Sequence, residues 1–260
     1  MPKYSDFAAA IFDMDDTLLS NYPPGHPSGL HEESRLLAVH DVGKRRKIPE
    51  LAAFTTEQNI RAFRDAPVHT LEGAVWNVLL MAGITRGEID HANPLLREIV
   101  ELKDKWHEKA LRTFGTEVLG AKNFVHKLYS RGYEDRLAIA STAVRRDIFI
   151  ALDIIGLRSL FPEKNIISKD MFTHPKPHPE AFKKAFQSLR LTVPPAKVLA
   201  FEDDPRGIMS AKGAGLFTCA ITTRYSRKEL QKLAVPPDLI ADSYAEFERL
   251  LSMEFEHKDV

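Results

Sequence analysis

Several short apolar runs end abruptly in acids or hydroxyls, and this pattern constrains the fold more than any other feature of the chain. Phe7–Phe12 is followed by Asp13, Asp15 and Asp16, Leu137–Ala140 by Ser141 and Thr142, and Val198–Phe201 by Glu202, Asp203 and Asp204. Phe217–Ile221 is a fourth run, and Asn165–Ile167 a weaker fifth. Continuous apolar runs of this kind read as strands covered on both faces, as in parallel sheets. Amphipathic helical stretches separate the later runs. Ala143–Ile155 places Val144, Ile148, Ala151, Leu152 and Ile155 on one stripe, and 179–190 does the same with Ala181, Phe182, Ala185, Phe186 and Leu189. Pro179 and Pro205 are expected just inside helix starts, with Gly213 and Gly215 at a helix end and its following turn. Strand–helix alternation from about residue 118 onward predicts an α/β fold with a doubly wound, Rossmann-like parallel sheet.

The alternation fails between the first run and residue 118. An irregular Pro/Gly-rich stretch, Asn21–Gly29, leads into helical patterns only: Glu32–Val42, Thr56–Phe63, Leu71–Met81 and Pro94–Phe114. So much helix after one strand cannot lie within a parallel sheet, which predicts an inserted all-helical cap domain. The expected division is a core of 1–19 and 118–260 with a cap of 20–117. Lys and Arg number 36 and Asp and Glu also 36, a balance that argues against nucleic-acid binding, which favours a basic excess. No apolar run is long enough for a membrane helix, and the lone Cys219 cannot form an internal disulfide. A soluble, cytoplasmic enzyme without a membrane partner is the expectation; nothing in the sequence specifies an oligomeric state.

In open parallel sheets, ligands bind outside the carboxyl ends of the strands. That edge would gather Asp13, Asp15, Asp16, Glu202, Asp203 and Asp204, together with Ser141, Thr142 and the Lys176 of KPHPEAF (176–182). So many carboxylates repel one another unless a divalent cation sits among them, and Mg2+ suits an all-oxygen set. Asp13 and Asp15, two apart on an extended strand end, project to one side. A carboxylate can attack phosphorus when a metal and a lysine offset the repulsion of two anions, and a second acid can carry the proton.

FDMDDTL at 12–18 resembles the DxDxT motif of the haloacid dehalogenase-like phosphatase superfamily. IASTA at 139–143, KPHPEAF at 176–182 and FEDDPRGIMSAKGAG at 201–215 resemble its second, third and fourth motifs, in order. The β-phosphoglucomutase-like branch, with a helical cap after the first motif, is the most similar. The resemblance implies Asp13 as nucleophile and Mg2+ ligand, and Asp15 as general acid/base with its backbone carbonyl on the metal. Thr17 would support the loop, Ser141 and the Thr142 N–H would bind phosphoryl oxygens, and Lys176 would pair with phosphate and Asp13. Asp203 would complete the metal shell, with Glu202 a direct or indirect ligand. An acid at Asp15 favours phosphate-ester chemistry over the family's dehalogenases, phosphonatases and transport ATPases. Asp16 stands where the branch usually has Gly, and Asp204 where it usually has Ser; the expectation is that Asp16 turns away from phosphate and Asp204 caps a helix.

The cap carries fainter signals. His31 is either a cap histidine that enters the active site, as in relatives, or an exposed helix-start residue. In RDAPVHT (64–70), Arg64 or His69 contacts the non-reacting end of a substrate, or the segment is an ordinary interhelical turn. The basic run Lys44–Lys47 is read as a helix end, with phosphate steering as the alternative. Trp76 and Trp106 are read as cap core, and Cys219 as a buried apolar residue. His174 and His178 have ligand-like spacing, but prolines at 175, 177 and 179 deny them a shared helical face, so rigid presentation of Lys176 is the better reading. The function implied is Mg2+-dependent hydrolysis of a small phosphorylated metabolite, a sugar phosphate or nucleotide. A β-phosphoglucomutase-type phosphomutase is the alternative, and a non-catalytic phosphate-binding protein the third reading.

Overall fold

A computed structural model describes residues 2–252 other than 27, 67 and 69. It divides into two compact units, Met1–Ser20 with Gly115–Val260, and Asn21–Phe114. The strands of the first unit are β1 (Ala9–Phe12), β2 (Leu19–Ser20), β3 (Thr116–Glu117), β4 (Leu137–Ala140), β5 (Ile166–Ile167), β6 (Val198–Glu202), β7 (Phe217–Ile221) and β8 (Leu239–Ala241). Among the described residues, six of these form one sheet in the order β5–β4–β1–β6–β7–β8, every pairing parallel. The α/β fold expected from the apolar runs is therefore present. β1, β4 and β6 are buried along their whole length, as continuous apolar runs require.

Helices α6 (Ala121–Leu128), α7 (Arg145–Ile155), α8 (Glu180–Ser188), α9 (Pro205–Gly213), α10 (Arg227–Gln231) and α11 (Tyr244–Leu250) accompany the sheet. Side chains alternate across β1. Ala9 and Ile11 join Ala181, Phe182 and Ala185 of α8 and Ala211 of α9 in one core. Phe12 faces the other way, stacked on Phe201 with centroids 4.6 Å apart, amid Phe124 of α6 and Phe161. Phe247 of α11 closes that aromatic layer against Phe201 and Phe124. Burying each such ring contributes about 1.5–3 kcal/mol. Two details depart from expectation. Pro205 opens α9 as its first residue, but Pro179 lies at the N-cap of α8, half outside it, its carbonyl accepting from Lys183 N–H at 2.9 Å. β8 and the short antiparallel pair β2–β3 were not expected at all.

The second unit is helical throughout its regular structure: α1 (Leu30–Arg46), α2 (Pro49–Ala52), α3 (Thr56–Arg64), α4 (Leu71–Met81) and α5 (Pro94–Phe114). Its core gathers Val39 and Val42 of α1, Val75 and Trp76 of α4, and Leu96 and Ile99 of α5, with Trp106 packed against it. Both tryptophans are thus core residues, each indole N–H being donated, to the Gly87 carbonyl and the Asp41 carboxylate. The basic run closes α1: Lys44, Arg45 and Arg46 fill its last turn, and Lys47 caps it with φ +56°. None of the described helices is long and apolar enough to cross a membrane.

Candidate active site

Strand register brings the motif residues of the first unit to one sheet edge. Phe12 pairs with Ile139 of β4 and Phe201 of β6, so the residues just beyond each strand become neighbours. Asp13 extends the ladder by one step, its N–H donating to the Phe201 carbonyl at 3.0 Å. The chain then folds into a tight loop in which Leu18 and Leu19 both donate to the Met14 carbonyl. Thr17, fully buried, donates its hydroxyl to Asp203 Oδ1 at 3.2 Å and receives the Tyr244 hydroxyl on its carbonyl at 2.8 Å. Asp16 has φ +56°, the left-handed region that Gly enters freely and Asp tolerates better than most residues. Its N–H donates to the Leu19 carbonyl, its own carbonyl accepts from Thr223, and its carboxylate lies 3.7 Å from Arg224. Asp15 is half-buried beside this turn, and its charge bears on Asp13.

Lys176 binds the acids together. Its Nζ donates to Asp13 Oδ1 and to Glu202 Oε1, each at 2.5 Å, and its side chain is only 8% exposed. The other Glu202 oxygen accepts the N–H groups of Asp203 and Asp204 at 3.1 and 3.3 Å. Asp13, Glu202 and Asp203 each offer an oxygen within 4.8 Å of the others. Burial pushes the Asp13 carboxyl well up; Lys176 opposes that, while Glu202 and Asp15 add to it. Asp203 is driven well up by burial and then by Glu202 and Asp13. Glu202 is raised by burial against the pull of Lys176. Burial alone would lower Lys176, but Asp13 and Glu202 outweigh it and hold the ammonium firmly charged. Lys176 pairs with two of these three clustered carboxylates, which leaves an excess of negative charge, and the all-oxygen donor set fits a hard divalent cation such as Mg2+.

Gly207, in the first turns of α9, is a site-shaping residue that the sequence reading missed. A Cβ there would collide with the Glu202 carboxylate. Gly→Ala within a helix ordinarily gains about 1 kcal/mol, so Gly207→Ala separates helix from site. The expected result is an intact or stiffer α9 with Glu202 displaced from Lys176. Divalent-cation affinity should fall by about 10–100-fold, as when a metal site loses a supporting contact. Titration calorimetry with Mg2+, alongside circular dichroism, checks both halves.

Ser141 follows β4 directly and is buried; its N–H donates to the Ile167 carbonyl, and its Oγ accepts the Ala143 N–H at 3.1 Å. The hydroxyl proton can therefore be given to another acceptor. Thr142 is exposed beside it. Asp204 caps α9, accepting the Arg206 N–H at 2.8 Å and pairing with the Arg206 guanidinium. Burial opposes its charge, yet Arg206 holds its carboxyl below the ordinary range. Of the six acids expected at this edge, Asp13, Glu202 and Asp203 share a focus, Asp15 is half-buried with its charge bearing on Asp13, and Asp16 and Asp204 face arginines.

In the helical unit His31 stacks on the buried His107, with ring centroids 3.9 Å apart. Burial, then His31 and Lys103, push the His107 imidazole well below its usual range. Arg64 is exposed and holds Asp65 at 2.8 Å. His69 lies outside the described residues.

Residues 7–215 match the family profile described as haloacid dehalogenase-like hydrolase. The chain is 30% identical over 116 residues to the validoxylamine A 7'-phosphate phosphatase of Streptomyces hygroscopicus subsp. limoneus, covering 45% of this chain and 52% of that protein. It is likewise 30% identical over 132 residues to the phosphorylated carbohydrates phosphatase of Thermotoga maritima, covering 47% and 59%. The chain thus spans a little over half the length of these curated relatives. Among solved structures, CbbY from Rhodobacter sphaeroides in complex with phosphate superposes with a TM-score of 0.67 at 21% identity, covering 93% of this chain and 96% of that one. A family IA, variant 3 hydrolase from Entamoeba histolytica gives 0.70 at 19% identity, covering 94% and 98%. At those identities the likeness establishes the fold.

Proposed function

The chain belongs to the haloacid dehalogenase-like hydrolase family, and on that footing we propose that it is an Mg2+-dependent phosphoric monoester hydrolase acting on small phosphorylated metabolites. The observation that carries this reading is Lys176 bridging Asp13 and Glu202 beside Asp203, at the carboxyl edge of a parallel sheet. The activities for which the two phosphatase relatives are named favour a phosphorylated carbohydrate as substrate class. The lone, buried Cys219 suits a cytoplasmic setting.

In this reading Asp13, Asp203, the Asp15 carbonyl and Glu202, directly or through water, hold the cation, which when bound offsets the charge of carboxylates and phosphate together. The Asp13 carboxylate attacks phosphorus, forming an aspartyl-phosphate as the ester P–O bond breaks. Asp15 gives its proton to the leaving oxygen, then takes one from the water that attacks the phosphorus. Phosphate leaves and Asp13 is restored. Lys176, the Ser141 hydroxyl and the Thr142 N–H hold the phosphoryl oxygens where charge accumulates. Thr17 braces Asp203, and Asp16 stays with Arg224. Substrate choice is assigned to the helical unit, with His31, Arg64 and His69 as the candidate contacts.

Phosphate release from an aryl phosphate and a panel of sugar phosphates and nucleotides tests the proposal. Release that requires Mg2+ and ends with a chelator is the expected result. Binding of phosphate without turnover across the panel would overturn it. So would bisphosphate-primed isomerisation of a hexose 1-phosphate in place of hydrolysis, the mark of a mutase.

A further inference from the structure

The loop that carries Lys176 also holds a second, chemically different donor set. His174 and His178 lie two residues to either side of the lysine, and Glu180 opens α8. The prolines do deny these histidines a common helical face, but they meet all the same. The His178 N–H donates to the Pro175 carbonyl at 3.0 Å, turning the chain back so that the two imidazoles lie 4.5 Å apart between centroids. His174 Nδ1 is 2.9 Å from Glu180 Oε2. The Glu180 carboxylate is itself fixed by the N–H groups of Thr173 and His174 at 3.2 and 3.0 Å, and by Lys184 at 3.4 Å. Those His174 bonds, backbone first, hold its carboxyl down at about 2. One donor atom from each of His174, His178 and Glu180 falls within 4.8 Å of the other two. Both rings are exposed, so small rotations can bring the three donors onto one ion.

We propose that His174, His178 and Glu180 form a surface site for a borderline divalent transition cation, with Zn2+ as its natural occupant. Two imidazoles and one carboxylate are a donor set that Zn2+ favours and Mg2+ does not, and they leave a fourth position to water. The molecule thus sorts cations by donor chemistry: oxygens alone at Asp13, Glu202 and Asp203, and mixed nitrogen and oxygen at the loop. A cation at the loop joins both flanks of Lys176 to the first turn of α8. The inference stands apart from the phosphatase reading, because it concerns binding alone.

Calorimetry of the untagged full-length chain with Zn2+, in a large excess of Mg2+, tests it. One tight Zn2+ per chain is expected. His174→Ala, His178→Ala and Glu180→Gln should each weaken binding by at least about tenfold, the loss seen even for outer partners of a metal, while Asp203→Asn leaves it unchanged. Co2+ in place of Zn2+ should give visible absorption that the histidine variants lose. His178→Gln repeats the test conservatively, with a thermal melt confirming that each variant is folded. Undiminished Zn2+ affinity in folded His174→Ala and His178→Ala, or loss of the ion in Asp203→Asn or to Mg2+ competition, would overturn the assignment.

Discussion

Asp13→Asn is expected to lower kcat/KM for every phosphomonoester substrate by on the order of 10^4-fold or more, the scale on which loss of a nucleophile is felt. The substitution keeps the side chain's shape, and its remaining oxygen can still accept from Lys176, now at 2.5 Å from Asp13 Oδ1. Only the nucleophilic charge is lost. Stability should move the other way from activity. Asp13 is one of three clustered buried carboxylates, two of them bonded to Lys176; burial drives its carboxyl up, Lys176 opposes that, and Glu202 and Asp15 add to it. Removing one of those charges relieves repulsion, so the metal-free variant should melt no lower than the wild type. Steady-state rates, melting curves and mass spectrometry of acid-quenched enzyme decide it together, a phosphoryl adduct being expected on the wild type alone. Appreciable turnover by the folded variant would place the nucleophile elsewhere.

The strands were legible where burial on both faces writes a continuous apolar run, as in Ala9–Phe12 and Val198–Glu202. Leu239–Ala241 escaped because it is a three-residue edge strand, half-exposed over two of its residues, too short for any period to show. At the site, acids at successive strand ends announced a shared edge. Their division did not show, since Asp16 and Asp204 turn to Arg224 and Arg206, partners set by loop conformation rather than by spacing. Gly207 was invisible for another reason: it acts through the side chain it lacks, opposite a carboxylate five residues earlier. His174 and His178 illustrate the limit of periodicity. The helical face was rightly denied to them, but a proline-bounded turn achieved the proximity that a helix would have given.

Lys176→Met should destabilise the metal-free protein by about 3–5 kcal/mol near neutral pH, the range for breaking a buried ion pair by removing one partner. Methionine roughly fills the volume of the lysine side chain, whose Nζ lies 4.9 Å from the centre of the Phe182 ring, while the only cation bonded to Asp13 and Glu202 among the described residues disappears. The deficit should depend on pH in a defined direction. Folding raises the carboxyl pKa values of Asp13, Asp203 and Glu202. For such acids the folded state keeps protons that the unfolded chain has already released. Stability therefore falls as pH climbs above the unfolded carboxylate range of about 4, and the full deficit is reached above the folded values. The melting temperature of metal-free Lys176→Met should accordingly rise as pH is lowered from the alkaline side toward the unfolded carboxylate range, and more steeply than that of the wild type. Mg2+ should restore much of the stability at the higher pH, because it supplies the missing positive charge. It should not restore turnover, which loses about 10^2–10^3-fold with a donor aimed at the transferring phosphoryl group. Melting curves with and without Mg2+ across that pH range separate the two roles. A flat pH response in metal-free Lys176→Met would mean that the three carboxylates are not the source of the strain, and full activity would remove Lys176 from the proposed chemistry.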